Sequence, residues 1–416
     1  LRRKSLFTVL SAIGATGLAP SVLAGPSLIT LHSFNGTDGS NPETGLVADS
    51  AGNLYGVTLQ GGAYSGGTAF ELSGSNHRTF TTLAAFNNSN VPGPYGPLTF
   101  DAAGNLLGTT VYGGSNRNGS IFSLSGPNHQ VLTTLFSFNG SNGSKVETGL
   151  VADGQGNFWG MTEAGGTAND GTIYELSGQD HQTLTTVFNF NGSNGSQPVG
   201  NLVLAPDGNF YGATPTGGAD GDGTVFELSG PNHQTFTTLM NFTSANVNPI
   251  GPLAFDSAGD LFGTTFTGGP NNAGTVFELS GPGYQTLTTL FNFNGSNGLH
   301  PHDSVIIDTA GNLFGLTAFA GSGVGNAFEL SGPGYQNFTN LVTAFGGSVD
   351  PYGQLFADSA GNLIGVTASF SNGGNGTIFE ITGSGFVVPE PTLALQVAVC
   401  CVALLRRRSV RKRIAI

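Results

Sequence analysis

Positive charge is what this sequence has least of. Lys and Arg number 12 among 416 residues, and nine of them sit at the ends: Arg2, Arg3, Lys4 and six between Arg406 and Arg413. Only Arg78, Arg117 and Lys145 lie between, against 24 of the 25 acidic residues. The interior carries a formal net charge of −21, from three basic and 24 acidic groups. Such a body repels phosphate backbones, which excludes nucleic acid as a partner. It favours solubility and attracts divalent cations. Cysteine is nearly absent too. Cys400 and Cys401 are adjacent in an apolar tail, so the body has no disulfide framework and must be held by packing. Two neighbouring thiols are also too few for a soft-metal site. Charged residues make up 9%, against roughly 25% in average chains. In their place stand 68 Gly and 31 Phe with abundant Asn, Thr and Ser. Regular Phe, Leu and Val supply a core, which argues against disorder. The mixture suits many short strands joined by tight turns.

The two ends are read as addresses. LRRKS, then LFTVLSAIGATGLAP, then SVLAGPS give a basic region, an apolar region and a small-residue cleavage site. Val22 and Ala24 fit its small-residue positions, so residues 1–24 are expected to be a signal peptide cut after Ala24. At the other end, Val388-Pro389-Glu390-Pro391 precedes an uncharged run from Thr392 to Leu405. At about 1.5 Å per helical residue these fourteen residues reach roughly 21 Å. A bilayer core needs about 20 residues. The run is short for a permanent span and adequate as a temporary transmembrane stop. Arg406, Arg407, Arg408 and the basic residues after them would hold the extreme end in the cytoplasm. Pro389, Glu390 and Pro391, the apolar run and the Arg cluster resemble the PEP-CTERM sorting tail of Gram-negative bacteria. The resemblance implies recognition of residues 387–416 by an exosortase-type membrane protease. It also implies delivery of the body to the cell surface or extracellular matrix. The alternative is a plain C-terminal anchor, and in both cases the body faces outward.

Between the ends one unit recurs. DSAGNLYG at Asp49 returns at Asp101, Asp153, Ala205, Asp256, Asp308 and Asp358. Its turn glycines, from Gly52 to Gly361, are separated by 52, 52, 52, 51, 52 and 50 residues. A fixed period of this length marks a repeat architecture. Each copy predicts four strands, as in GLVAD from Gly45, NLYGVT from Asn53, TAFEL from Thr68 and TFTTLAAF from Thr79. In D-x-x-G-N the Asp caps the turn and Gly takes positive φ. Seven four-stranded units predict an all-β, seven-bladed β-propeller over residues 25–386. The body starts with a lone fourth strand, SLITLHSF from Ser27, and ends after a third strand, GTIFEIT from Gly376. The lone strand is expected to complete the last blade and close the ring. A β-helix would need shorter coils. The repeated D-x-A-G-N-L-x-G, the following G-G and G-T-V-F-E-L resemble the GloVer (choice-of-anchor) tandem-repeat family. That resemblance covers about 28 to 382 and implies surface proteins of no established enzymatic activity.

Candidate sites follow from the repeats. Glu71, Glu175, Glu227, Glu278, Glu329 and Glu380 share one third-strand slot, with Ser123 in the remaining copy. Paired carboxylates can hydrolyse glycosides, but a catalytic pair needs two unlike environments at one place. Six equivalent positions read as structural hydrogen-bond acceptors, and no catalytic residue is assigned. His77, His129, His181 and His233 share a slot taken later by Tyr284 and Tyr335. Neighbouring copies stand on the order of 15 Å apart if strands lie about 4.7 Å apart, too far for one zinc ion. These residues are expected to pack against their own turns. Asp220 and Asp222 in GGADGDGT resemble the start of a calcium loop without its later acidic ligand. Calcium is the one cofactor considered. The FNGSNGS stretches read as turns rather than glycosylation sites. The second-to-third-strand loops fall on the same face as the FNGSNGS loops. They carry Tyr64, Asn116, Arg117 and Asp170, which differ between copies and are candidates for ligand binding. Neutral polar groups with an occasional aromatic suit sugars. The expected function is a non-enzymatic surface or matrix protein that binds extracellular polysaccharide or an envelope component. An extracellular lyase or glycosidase, or a purely structural layer protein, are the alternatives.

Overall fold

The computed structural model describes residues 25–87, 93–243, 247–319, 325–343, 345, 350–369 and 374–389. The expected signal peptide with Ala24, and the tail residues Glu390, Pro391, Cys400, Cys401 and Arg406–Arg408, lie outside the described residues. So does the expected short span. Among the described residues no helix is long and apolar enough to cross a membrane.

Twenty-eight strands form seven four-stranded antiparallel sheets. Six sheets are simple meanders, with strands in chain order. Blade 1, for example, runs Val47–Ala48, Leu54–Thr58, Ser65–Ser73 and Thr79–Asn87. Blade 7 is composite. Asp350–Ala357, Leu363–Ala368 and Thr377–Thr382 are completed by Ser27–Ser33. The pairing runs from Ser27 opposite Thr382 to Ser33 opposite Thr377. The ring therefore closes through the N-terminal strand, as the phase of the repeats requires.

The core lies between blades. Trp159, Met161, Ile173 and Phe190 of blade 3 pack with Leu202, Phe210, Phe226 and Leu228 of blade 4. At the closing seam, Leu31, Ile364, Val366 and Ile378 of blade 7 meet Leu46, Leu54, Phe70 and Leu72 of blade 1. Every second strand has its first five residues buried, because it is sandwiched on both faces. This explains the glycine that ends each repeat motif. A Cβ on Gly263 would sit 2.5 Å from Phe277 Cζ, and one on Gly212 would sit 2.6 Å from Phe226 Cζ. The glycine makes room for the aromatic ring paired opposite it in the next strand. Gly263→Ala is expected to cost about 1–3 kcal/mol through overpacking. A lower urea midpoint at unchanged m would show it; an unchanged midpoint would refute the packing account.

Turns are fixed by side chains. Asp49 Oδ1 accepts from the amides of Ala51 and Asn53 at 2.9 and 2.8 Å, and Oδ2 accepts from Asn53 Nδ2 at 2.8 Å. Asp101, Asp153, Asp308 and Asp358 repeat all three bonds. The FNGSNGS loops close by reciprocal asparagine bonds, as between Asn139 and Asn142. At the opposite ends of the second and third strands a buried hydroxyl pair recurs, such as Thr58 with Thr68 at 2.9 Å and Thr162 with Thr172 at 2.9 Å.

Both ends of the propeller leave from the face that carries the Asp turns. Ser27 and Thr382 pair there. The segment after Thr382 then straps across that face. Ser384 Oγ donates to Gly361 O at 2.9 Å, Thr309 N to Val387 O at 3.0 Å, and Val387 N to Asp308 Oδ2 at 3.2 Å. Phe386 packs on Phe314 with ring centroids 5.1 Å apart. Pro389 is exposed at the end of the strap.

Candidate functional site

Each blade begins with a five-residue stretch that enters the innermost strand. In chain order these read NPETG from Asn41, GPYGP from Gly93, KVETG from Lys145 and QPVGN from Gln197. NPIGP from Asn248, HPHDS from His300 and DPYGQ from Asp350 complete the set. Lys145 and His300 take φ of 54° and 55° at its first position, a left-handed conformation that such residues rarely adopt. The middle position holds Glu43, Tyr95, Glu147, Val199, Ile250, His302 and Tyr352. Ring closure brings these stretches together. A cavity of about 610 Å³ is lined by residues from all seven blades, which places it on the propeller axis. Phe386 of the strap also lines it. The volume lies within the roughly 300–1,000 Å³ of small-ligand sites.

The lining is two-sided. Val199 and Ile250 contribute an apolar wall. Glu43, Tyr95, Glu147, His302 and Asp303 contribute a polar one. Tyr352 packs on His302, with ring centroids 4.4 Å apart, and Phe266 meets His302 edge-on at 5.6 Å. Asp303 occupies a slot that four other copies fill with glycine. No Lys or Arg is among the lining residues.

The electrostatics follow from enclosure. Burial raises the Glu43 carboxyl to about 7, helped by the charge of Glu147. Its Oε1 is buried without a hydrogen-bond partner. Burial also raises Glu147 to about 7, with Glu163 adding to the shift through its charge and a hydrogen bond. Lys145, 3.2 Å from Glu163 Oε1, offsets this in part. Asp303 reaches about 7 through burial, against one backbone hydrogen bond from Gly353. Burial pushes His302 the other way, to about 4, so its ring is neutral at pH 7. The Tyr95 phenol is held well above its ordinary value by burial, then by Glu43, Glu147 and Asp303. Three carboxyls thus act on one phenol. Groups shifted this far within one cleft make it a candidate functional site.

The residues singled out on the loop face lie elsewhere. Tyr64 is 60% exposed in blade 1. Asn116 Nδ2 donates to Phe138 O at 3.3 Å, and Arg117 turns the same loop with φ 57°. Asp170 Oδ1 accepts from Ser196 Oγ at 2.7 Å. Asp220 is exposed and Asp222 lies beside Gly217 in a backbone bridge. These residues come from the loops of four different blades, and none lines the axial cavity. Among the described residues no three His, Cys, Asp or Glu side chains are grouped to hold a metal ion.

The repeated histidines pack at the Asp turns. His77 Nε2 bonds Gly52 O at 2.9 Å, and in blade 5 Tyr284 OH donates to Gly259 O at 3.2 Å. His233 lies 4.9 Å from the rings of both Trp159 and Phe210. The repeated glutamates stand one in each of six blades, with Ser123 in blade 2. Glu227 Oε1 accepts from Asn209 Nδ2 at 2.8 Å and from Tyr211 OH at 3.2 Å. A second groove of about 780 Å³ runs along the seam of blades 7 and 1, lined by His77, Arg78, Asp49, Asp358 and Glu380.

The Gloeobacter/Verrucomicrobia repeat profile matches residues 18–155, 77–251, 125–284 and 245–388 in overlapping stretches. The chain belongs to this repeat family. No curated protein matches it. Among solved structures it is similar to the extracellular domain of a hybrid two-component system from B. thetaiotaomicron. The TM-score is 0.56 at 12% identity, over 84% of this chain and 39% of that one. A second such domain from B. thetaiotaomicron gives a TM-score of 0.54 at 16% identity, over 90% and 42%. The chain therefore spans about two fifths of the length of these structures, and the likeness is one of fold. The axial slot differs in chemistry from copy to copy while the blade scaffold stays constant.

Proposed function

We propose that this repeat protein works outside the cell, at the surface or in the matrix, and that its axial cavity binds a saccharide unit of an extracellular polysaccharide or envelope component. The observation that carries the reading is the cavity itself. Seven near-identical blades converge on one small space, and there they present acids, a phenol, an imidazole and aliphatic groups side by side. Sugars need both hydrogen-bonding groups and rings to pack on. The signal sequence and the PEP-CTERM-like tail, with an exosortase-type protease as processing partner, support export and surface delivery. Extracellular propeller domains in B. thetaiotaomicron are consistent with that setting.

A second reading is favoured by one observation. Glu43, Glu147 and Asp303 share the cavity with carboxyls raised to about 7, suited to general acid work. A lyase or glycosidase on this scaffold would use them. Retention of the purified protein on the organism's extracellular polysaccharide separates the readings. Saturable retention that falls at least tenfold in Tyr95→Ala or His302→Ala, with the polymer unchanged in size, is expected for binding. A shortened polymer would establish the enzyme. Retention unaffected by both substitutions would remove the axial cavity from the account, and loss on chelation would direct attention to Asp220 and Asp222.

A further inference from the structure

We propose that the axial cavity selects a ligand bearing a positively charged amine, such as an amino-sugar unit with a free ammonium group. The inference rests on the saccharide reading above and narrows its chemistry. Three carboxyl groups, Glu43, Glu147 and Asp303, face the cavity, and no Lys or Arg lines it. His302 adds no compensating charge, because burial keeps its ring neutral. Lys145, paired with Glu163, offsets Glu147 only in part, and a buried carboxylate without a full counter-ion is unfavourable. Glu43 Oε1 is an acceptor shut away from solvent with nothing to accept from.

An ammonium group supplies what the lining lacks: a positive charge and three donors on one atom. The rings of Tyr95 and His302, with Tyr352 behind, add π surfaces on which a cation or a pyranose face can rest. Val199 and Ile250 meet the apolar side of such a ring. A neutral sugar would satisfy the donors and leave the charge. A uronate would add a fourth acid to three. Acids raised to about 7 give the site a second property: an ammonium entering near neutral pH expels protons from them. Affinity for the amine therefore rises from pH 5.5 to neutrality, above which the amino sugar's own ammonium begins to lose its proton.

Titration calorimetry of the full protein against glucosamine, N-acetylglucosamine, glucose and glucuronate tests this. Each titration is run at pH 5.5 and at pH 7, the latter in two buffers of different ionisation enthalpy. Glucosamine is expected to bind at least tenfold more tightly than its acetylated form, with proton release. Glu43→Gln and Glu147→Gln should each erase most of that preference without lowering the urea midpoint. Equal affinities for glucosamine, its acetylated form and glucose would overturn the charge selectivity and leave the saccharide reading standing. Tighter binding of glucuronate would overturn it outright. Binding of ethylamine but of no sugar would overturn the saccharide reading and keep the amine preference. No binding by any probe would overturn both.

Discussion

A chain lacking Ser27–Phe34 is expected to yield no folded monomer. These residues supply the outer strand of blade 7, paired from Ser27–Thr382 to Ser33–Thr377. They also supply Leu31 and Phe34 to the core between blades 7 and 1. Beyond the strand, Phe34 N donates to Gly376 O at 3.1 Å and Asn41 N to Asn375 O at 2.9 Å. Without the strand, Thr377–Thr382 becomes a bare edge with unpaired amides and carbonyls, a template for aggregation. Both large apolar side chains would leave a void at the one seam that joins the two ends of the chain. Size-exclusion chromatography and thermal melting would read the loss as aggregation without a cooperative transition. A permuted chain that carries residues 27–34 after Thr382 should recover the monomer, because it restores the strand pairing and the seam core at the expense only of the strap that follows Thr382. A truncated chain that melts as cooperatively as the intact one would show that the seam is dispensable.

Stability is expected to fall as pH rises from about 4.5 to 7.5. Glu43, Glu147 and Asp303 each have folded values near 7, caused first by burial. Their unfolded values are about 4.3 and 3.9. In that window the folded chain binds more protons than the unfolded one, so stability decreases with pH. Their contribution is fully present below the unfolded values and is gone above the folded ones. Each is worth roughly 3 kcal/mol at a shift of two to three pH units. His302, lowered to about 4 by burial, opposes them, since its contribution is lost as pH falls through the same range. Three acids outweigh one imidazole. Urea denaturation across pH should show the decline. The triple variant Glu43→Gln, Glu147→Gln, Asp303→Asn should lose most of the decline, because His302 and His300 are then opposed only by the raised carboxyls of Glu175, Glu278, Asp350 and Glu380. At lower pH a second loss sets in. Partial burial pushes Asp49 and Asp153 up, yet their turn hydrogen bonds outweigh it and hold them below the ordinary value. Their stabilisation is lost on acidification through those depressed values.

The blades were legible because each repeat states its own local physics. D-x-x-G-N fixes a turn, Thr alternating with Phe fixes an outer strand, and a motif glycine clears space for a ring. The offset of SLITLHSF against GTIFEIT likewise fixed the closure. Reading His77 and its equivalents as turn packing rested on the same local geometry. The axial site is a different kind of object. Its residues are about fifty positions apart and touch only after the ring closes. They stand beside first strands that are two residues long in five blades, so no strand pattern advertises them. Attention to variable loop residues led instead to Tyr64, Asn116, Arg117 and Asp170, one loop per blade. A signal was present in HPHDS, where Asp303 replaces the glycine of other copies and His302 replaces a glutamate, tyrosine or aliphatic residue. Setting the seven pre-strand slots beneath one another would have exposed it.

The pairing of Ser27 with Thr382 has a mechanical consequence. The two ends leave side by side from one end of an antiparallel ladder. A force drawing them apart would load its hydrogen bonds rung by rung, as a zipper opens, and meet little resistance. A pull on the C-terminal side alone meets the strap first. It passes into blade 6 through Asp308 and Thr309, where several bonds share the load. The ring is suited to hang from a single tether, with its loop face turned away from the point of attachment.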